Sequence, residues 1–293
     1  MTPLILADDF SGACDAAARA AANGYSAAAL LDPDSPAPAA DLLALTTETR
    51  HAAPDAARLR IRSLAPLLSG RLLYKKIDST LRGPWIDEVG ELLAVTDYAQ
   101  AVVCPAFPAQ GRTVRDGWLC LNDQPLQQIV CPFTIRDAST EDDLARVAAG
   151  LCWSILPVGS AGLARHVFRS GPSAPPAALE APRTPPWIVL IGSEHPASQA
   201  QLRFLQQAAS ARFLLNPASF PDHPAGIFAT GGETAARFLR RAQARGIAGL
   251  RELLPGVPAG RLLGGRYDGT VMITKAGGFG SPDAILRALE FFL

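Results

Sequence analysis

The chain has 293 residues, 48% of them apolar and 18% charged, and its 27 basic residues balance 27 acidic ones. A net charge of zero argues against a protein that lives on nucleic acid or on an anionic membrane, since neither would attract the whole molecule. The length exceeds that of most single cores, so two domains are expected.

Residues 3–7 read as a buried strand, Asp8-Asp9-Phe10 as the turn after it, and Ser11 as the N-cap of an alanine-rich helix that stops at Asn23-Gly24. Residues 25–31 and 42–46 look like short strands, the second running into Thr47-Glu48-Thr49-Arg50. A helix is expected over 53–68, a strand over 71–77, a helix through 88–93 and a strand over 101–104. Residues 105–135 are rich in turn formers and carry no clear period. A helix over 140–150, a strand over 153–158 and a helix over 162–168 follow. Residues 171–186 hold six prolines among alanines, which makes them the linker candidate. Beyond it come a strand at 187–191 ending at Gly192-Ser193, a helix at 197–209, and a strand at 226–229 running into Thr230-Gly231-Gly232-Glu233-Thr234. Strands at 262–264 and 270–274 and a closing helix at 282–292 complete the chain.

This alternation implies an α/β protein of two domains, with mainly parallel sheets flanked by helices. Residues 1–170 would form the first domain, 171–186 the linker and 187–293 the second. Ligands of parallel sheets sit beyond the carboxyl ends of the strands. The polar clusters Asp8-Asp9, Glu48–Arg50 and Lys76–Asp78 each follow a strand, so they are expected to converge on one edge.

The first apolar run, Leu4 to Ala7, is too short for a signal peptide, and no stretch is long enough to span a membrane; a cytoplasmic location is expected. Cys14, Cys104, Cys120, Cys131 and Cys152 show no CxxC spacing and read as reduced thiols. His51, His166, His195 and His223 show no zinc-binding spacing.

Four segments can carry chemistry. Gly231-Gly232 stands between a strand and a helix with Thr230 and Thr234 beside it, and Gly277-Gly278 and Gly192-Ser193 repeat the arrangement. Glycine lets backbone N–H groups approach an anion, and a helix N-terminus favours negative charge. No Walker A pattern is present, so a nucleotide site here is of another design. In Tyr74–Gly83, Lys76 and Arg82 suit a substrate carboxylate, and Ser79 or Thr80 suit sugar hydroxyls. Asp8-Asp9 can orient an alcohol, bind Mg²⁺, accept a hydroxyl proton, or simply cap the next helix. Phe107–Arg112 is a rigid loop displaying an arginine.

Together these segments resemble the four-carbon acid sugar kinase family. The matching pieces are ADDFSGACD (7–15), TTETR (46–50), YKKIDSTLRG (74–83), PAFPAQGRT (105–113), TGGETA (230–235) and TKAGGFG (274–280). They span both halves in the family's order. The resemblance implies ATP-dependent phosphorylation of threonate, erythronate or 3-oxo-tetronate, in a cleft between a sugar-acid domain and a nucleotide domain. It implies that Asp8, Ser11, Arg50, Lys76, Ser79, Thr80, Arg82 and Arg112 face the acid. Ser193, Gly231, Gly232, Glu233, Thr234, Lys275, Gly277 and Gly278 would meet ATP, and Mg²⁺ is expected as the accompanying cofactor, with no residues assigned to it. Either Asp9 or Asp78 would be the base. A homodimer is a candidate assembly. The chain departs from the family in Phe10 and Ser11, in Pro84-Trp85, and in its shortness. The competing expectation is a non-catalytic relative that senses a sugar acid or nucleotide.

Overall fold

Leu4–Ala7 (β1) has no polar side chain and is buried at every position, as a strand covered on both faces requires. It opens a computed structural model that describes residues 2–172, 179–182, 186–208 and 213–292. The first half continues with α1 (Phe10–Ala21), β2 (Ala27–Leu30), β3 (Leu42–Thr46), α2 (Pro54–Leu68), β4 (Leu73–Lys76), α3 (Trp85–Val95) and β5 (Gln100–Cys104). Then come β6 (Arg112–Arg115), β7 (Trp118–Leu121), β8 (Gln124–Gln128), β9 (Thr134–Ile135), α4 (Glu141–Ala149), β10 (Ile155–Gly159) and α5 (Ala161–Val167). The second half holds β11 (Trp187–Ile191), α6 (Pro196–Gln207), β12 (Phe213–Leu215), β13 (Gly226–Thr230) and α7 (Gly232–Ala242). It ends with β14 (Gly246–Leu254), β15 (Val257–Leu263), β16 (Val271–Lys275) and α8 (Ala284–Leu289).

Thirteen of these strands form one sheet, in the order β12-β11-β13-β16-β15-β14-β2-β3-β1-β4-β10-β5-β9. Seven strands of the first half run parallel, and so do β12, β11, β13 and β16. The halves meet where β14 lies antiparallel to β2, with Gly246 opposite Leu30 and Ala248 opposite Ala28. The sheet is therefore mainly parallel and flanked by helices, and the strands of both halves run on into one another.

Every residue of α1 is buried. It packs on β14, β15 and α7 of the second half as well as on β2, β3 and α5. A helix enclosed on all sides needs small side chains to let its neighbours approach, which accounts for its six alanines. The core around it is continuous from Leu4, Phe10 and Leu45 to Ile227, Phe238 and Met272. Trp187, Phe228, Ile273 and Leu289 form a second cluster at the far end.

Three expectations change. The N-cap of α1 is Asp9, not Ser11: Asp9 is extended and its carboxylate accepts from Gly12 N, while the Ser11 hydroxyl turns back onto Asp9 Oδ2 at 2.9 Å. Residues 105–135, unassigned from sequence, contain the antiparallel meander β6-β7-β8. β12 and β14 are further strands that the pattern did not reveal; β14 is interrupted by register shifts, which erase its alternation. Of the expected linker, residues 173–178 and 183–185 lie outside the described residues, as do 209–212, which include the end of the helix expected over 197–209. All five cysteines are free thiols.

Candidate active site

Strand register brings the separated motifs together. Ala7 of β1 is level with Thr46 of β3 and with Lys76 of β4. The residues that follow, Asp8-Asp9, Thr47–Arg50 and Ile77-Asp78, therefore leave the sheet side by side. In the second half Ile191 is level with Thr230, and Thr230 with Lys275. Gly192-Ser193, Gly231-Gly232 and Ala276–Gly278 thus form a second row of strand ends.

The first row is organised by Arg50. Its Nε and Nη2 donate to the two oxygens of Asp8, each at 2.7 Å, and Nη1 donates to Asp9 Oδ2 at 2.7 Å. Burial alone would raise the pKa of Asp8, but the charge and hydrogen bonds of Arg50 hold it below the ordinary carboxylate value. The same carboxylates hold the Arg50 guanidinium well above its own ordinary value, despite the burial that opposes this. Behind Arg50, Lys75 and Glu88 form a fully buried ion pair at 2.9 Å. Glu88 Oε1 also accepts from Thr47 and Thr49, at 3.1 and 2.7 Å, which fixes the loop that carries Arg50. Asp78 receives Nε and Nη2 of Arg82 at 2.7 and 3.0 Å and the hydroxyl of Thr80. Burial would push its pKa up, yet those bonds and the charges of Arg82 and Arg50 hold it far below the usual range.

The second row is built from backbone. Gly231 has φ +98°, a conformation that other residues rarely adopt, and it is the N-cap of α7. A Cβ on Gly232 would stand 2.1 Å from Asp9 Oδ2, so α7 begins directly against the first-half carboxylate. Likewise a Cβ on Gly192 would meet Thr234 Oγ1 at 2.3 Å, and one on Gly277 would meet Ser193 Oγ at 2.1 Å. The three turns are packed at backbone distance, which only glycine permits. Arg112 ties this row to the first half, donating to the Gly278 carbonyl at 3.2 Å.

Two adjoining cavities open between the rows. The smaller, about 190 Å³, is walled by Asp9, Ser11, Arg50, Lys76, Asp78, Ser79, Thr80, Arg82 and Arg112, together with Gly278. That lies below the roughly 300 Å³ at which sites for drug-sized ligands begin, and suits a small polar acid. The larger, about 1000 Å³, is walled by Asp8, Asp9, Ser11, Arg50 and Arg82 on one side. Ser193, Gly231, Gly232, Glu233, Thr234, Gly277 and Gly278 stand on the other. Asp9 lines both.

All the residues singled out from sequence reach these walls except Lys275. Its ammonium is fully buried, donates to the carbonyls of Ala276 and Phe279 at 2.7 Å each, and lies 4.8 Å from the Phe279 ring centroid. Burial, with the charge of Arg112, lowers its pKa to about 7. Lys275 thus lies behind the glycine turn, bonded to its carbonyls. Asp8, likewise, gives both oxygens to Arg50. Sequence reasoning missed Asp15 and Ser160 in the smaller cavity, and His195 in both. His195 had a signal: Pro196 follows it at the first position of α6, where a capping side chain is expected, and its Nδ1 accepts from Ala197 N at 3.2 Å. Among the described residues no group of three or more His, Cys, Asp or Glu is arranged to hold a metal ion, and no helix is long and apolar enough to cross a membrane.

Both halves of the chain match known domain families. Residues 4–132 match a sugar-binding N-terminal domain and residues 218–285 a nucleotide-binding C-terminal domain. A D-threonate kinase of Cupriavidus necator is 30% identical over an alignment covering 99% of this chain and 98% of the relative. That alignment runs over 421 residues against 293 here, so more than a hundred positions of the relative have no counterpart. A Bordetella bronchiseptica domain, solved with bound citrate as a domain-swapped dimer, is 30% identical with a TM-score of 0.50, covering 99% of this chain and 98% of its own. A Haemophilus influenzae protein shares the fold at 17% identity and a TM-score of 0.65, over 99% and 100% of the two chains. The chain belongs to the four-carbon acid sugar kinase family, a family of phosphotransferases.

Proposed function

We propose that this protein transfers the γ-phosphoryl group of ATP to a hydroxyl of a four-carbon sugar acid such as D-threonate, D-erythronate or 3-oxo-tetronate. The observation that carries the reading is the position of Asp9, which lines both cavities and touches the turn at Gly232. The acid would occupy the smaller cavity, its carboxylate near Lys76, Arg82 and Arg112. The nucleotide would occupy the larger one, its phosphates against the backbone N–H groups of the glycine turns. Residues 1–170 and 187–293 would act as the acceptor and nucleotide units.

The transfer would run in line. The acceptor hydroxyl loses its proton to Asp9, its oxygen bonds to the γ-phosphorus, and the bond to the β–γ bridging oxygen breaks to release ADP. Asp9 is preferred over Asp78 as base on geometry. Asp78 faces only the smaller cavity, whereas Asp9 also lines the larger one where the phosphates would lie. Mg²⁺ would be held mainly by the phosphates and water, with Glu194 and the Thr234 hydroxyl as oxygen donors in the larger cavity wall, a donor set that suits this hard cation. When bound it would neutralise charge on the phosphates. Use of ATP accords with a cytoplasmic location, and the Bordetella dimer makes a homodimer the expected assembly.

A coupled ADP-release assay across four-carbon sugar acids tests the reading. Acid-dependent ADP release is expected; binding of acids without any turnover would point instead to a sensor.

A further inference from the structure

Asp15 stands on α1 at three and four residues beyond Gly12 and Ser11, so the three share one helix face. All three line the smaller cavity. Asp15 is only 8% exposed, and its Oδ1 is buried and makes no hydrogen bond among the described residues. A buried carboxylate oxygen without a donor is unfavourable, and native proteins retain few of them. The neighbouring carboxylates of this cavity are already satisfied: Asp9 by Gly12 N, Ser11 and Arg50, and Asp78 by Arg82 and Thr80. Asp15 is thus the acid in the wall that still lacks a donor, and its other oxygen, which likewise makes no hydrogen bond among the described residues, is the one that a group filling the cavity would reach.

The chemistry of the donor follows from the charges. A carboxylate guest end would be repelled by Asp15 and drawn to Lys76, Arg82 and Arg112, which line the same cavity. A neutral alcohol O–H is the complementary partner. We propose that Asp15 accepts a hydrogen bond from a non-reacting hydroxyl of the sugar acid, and so selects hydroxylated acids over their deoxy counterparts. The inference rests on the sugar-acid reading above. It goes beyond it in naming the residue that reads the hydroxyl.

Calorimetric binding of D-threonate, 3,4-dihydroxybutanoate and 2,4-dihydroxybutanoate to the full chain at about pH 8, where Asp15 is mostly ionised, tests it, with Asp15→Ala and the isosteric Asp15→Asn beside the wild type. The wild type should bind one of the two deoxy acids about 10- to 150-fold more weakly than D-threonate, the loss expected when a hydrogen bond to a charged group disappears. Asp15→Ala should weaken D-threonate by a similar factor and Asp15→Asn by less, with ATP binding unchanged. In Asp15→Ala the penalised deoxy acid should suffer no further loss. Unchanged D-threonate affinity in both variants would overturn the proposal, as would equal added losses for all three acids. ADP release by the wild type, run in parallel, reports on the kinase reading separately. Binding that follows this pattern without turnover would leave Asp15 assigned and the kinase reading refuted.

Discussion

The two rows of strand ends are built by different means. The first-half row uses side chains whose charges fix one another: Arg50 is forked onto Asp8 and tied to Asp9, and Arg82 is forked onto Asp78. The second-half row uses backbone, and it can do so because Gly192, Gly232 and Gly277 leave no Cβ where Thr234, Asp9 and Ser193 approach. A network of charges can present a particular pattern of donors and acceptors, which suits discrimination among small acids. A row of backbone amides presents a uniform field, which suits phosphates common to many nucleotides.

The contrast can be broken most severely at the point where the rows touch. Asp9→Asn should lower kcat by about 10²- to 10⁴-fold in the ADP-release assay, the usual worth of a general base. A variant that keeps near wild-type kcat would remove Asp9 from the chemistry. Next in size is Arg50→Ala, which leaves Asp8 and Asp9 without their shared partner. Breaking a buried ion pair from one side typically costs about 3–5 kcal/mol, so a large fall in thermal stability is expected by calorimetry, beyond any loss of activity. An unchanged melting temperature would show that the network is not structural.

The backbone row is sharpened by Gly277→Ala. The added methyl collides with Ser193 Oγ, so KM for ATP should rise about tenfold or more, while KM for the acid changes little; at the scale of 1.4 kcal/mol per tenfold this is a modest distortion. Equal effects on both KM values would mean that the rows do not divide the substrates.

A pH-dependent effect concerns Asp15, whose pKa is raised to about 7, first by burial and then by Glu252 and Asp9, with Lys76 and Arg19 opposing. Unfolded, this carboxyl ionises near 3.9; folded, it keeps its proton to about 7. The folded state thus binds more protons between those values, and Asp15 destabilises the fold progressively as pH rises from about 4 to 7. Asp15→Asn should therefore gain stability relative to the wild type at pH 8, by up to about 4 kcal/mol, and little at pH 4. Equal melting-temperature differences at both pH values would contradict this.

Much of this was legible because strands, glycine turns and charged clusters mark themselves. Asp8-Asp9, Lys76–Arg82 and Gly231-Gly232 could all be placed at strand ends from their flanking apolar runs. Their convergence could only be expected, since register between Ala7, Thr46 and Lys76 is a tertiary property. Asp15 escaped because an aspartate among alanines looks like the solvated face of a helix, and nothing local says that α1 is enclosed on all sides. The placement of Lys275 was hidden for a related reason: a lysine beside glycines reads as an exposed cation, but β16 buries its side chain beneath the turn. The joining of the halves through β14 was hidden as well, because Gly246 and Gly249 punctuate a strand whose pairing also slips register.

The place where the two substrates meet is the most direct test of an Asp9-based transfer. A crystal structure with a non-hydrolysable ATP analogue and D-threonate should show the γ-phosphorus within about 3–3.5 Å of an acid hydroxyl, that hydroxyl beside Asp9, and the phosphates against Gly231-Gly232. A nucleotide bound away from these glycines, or an acid outside the Lys76–Arg82 cavity, would contradict it.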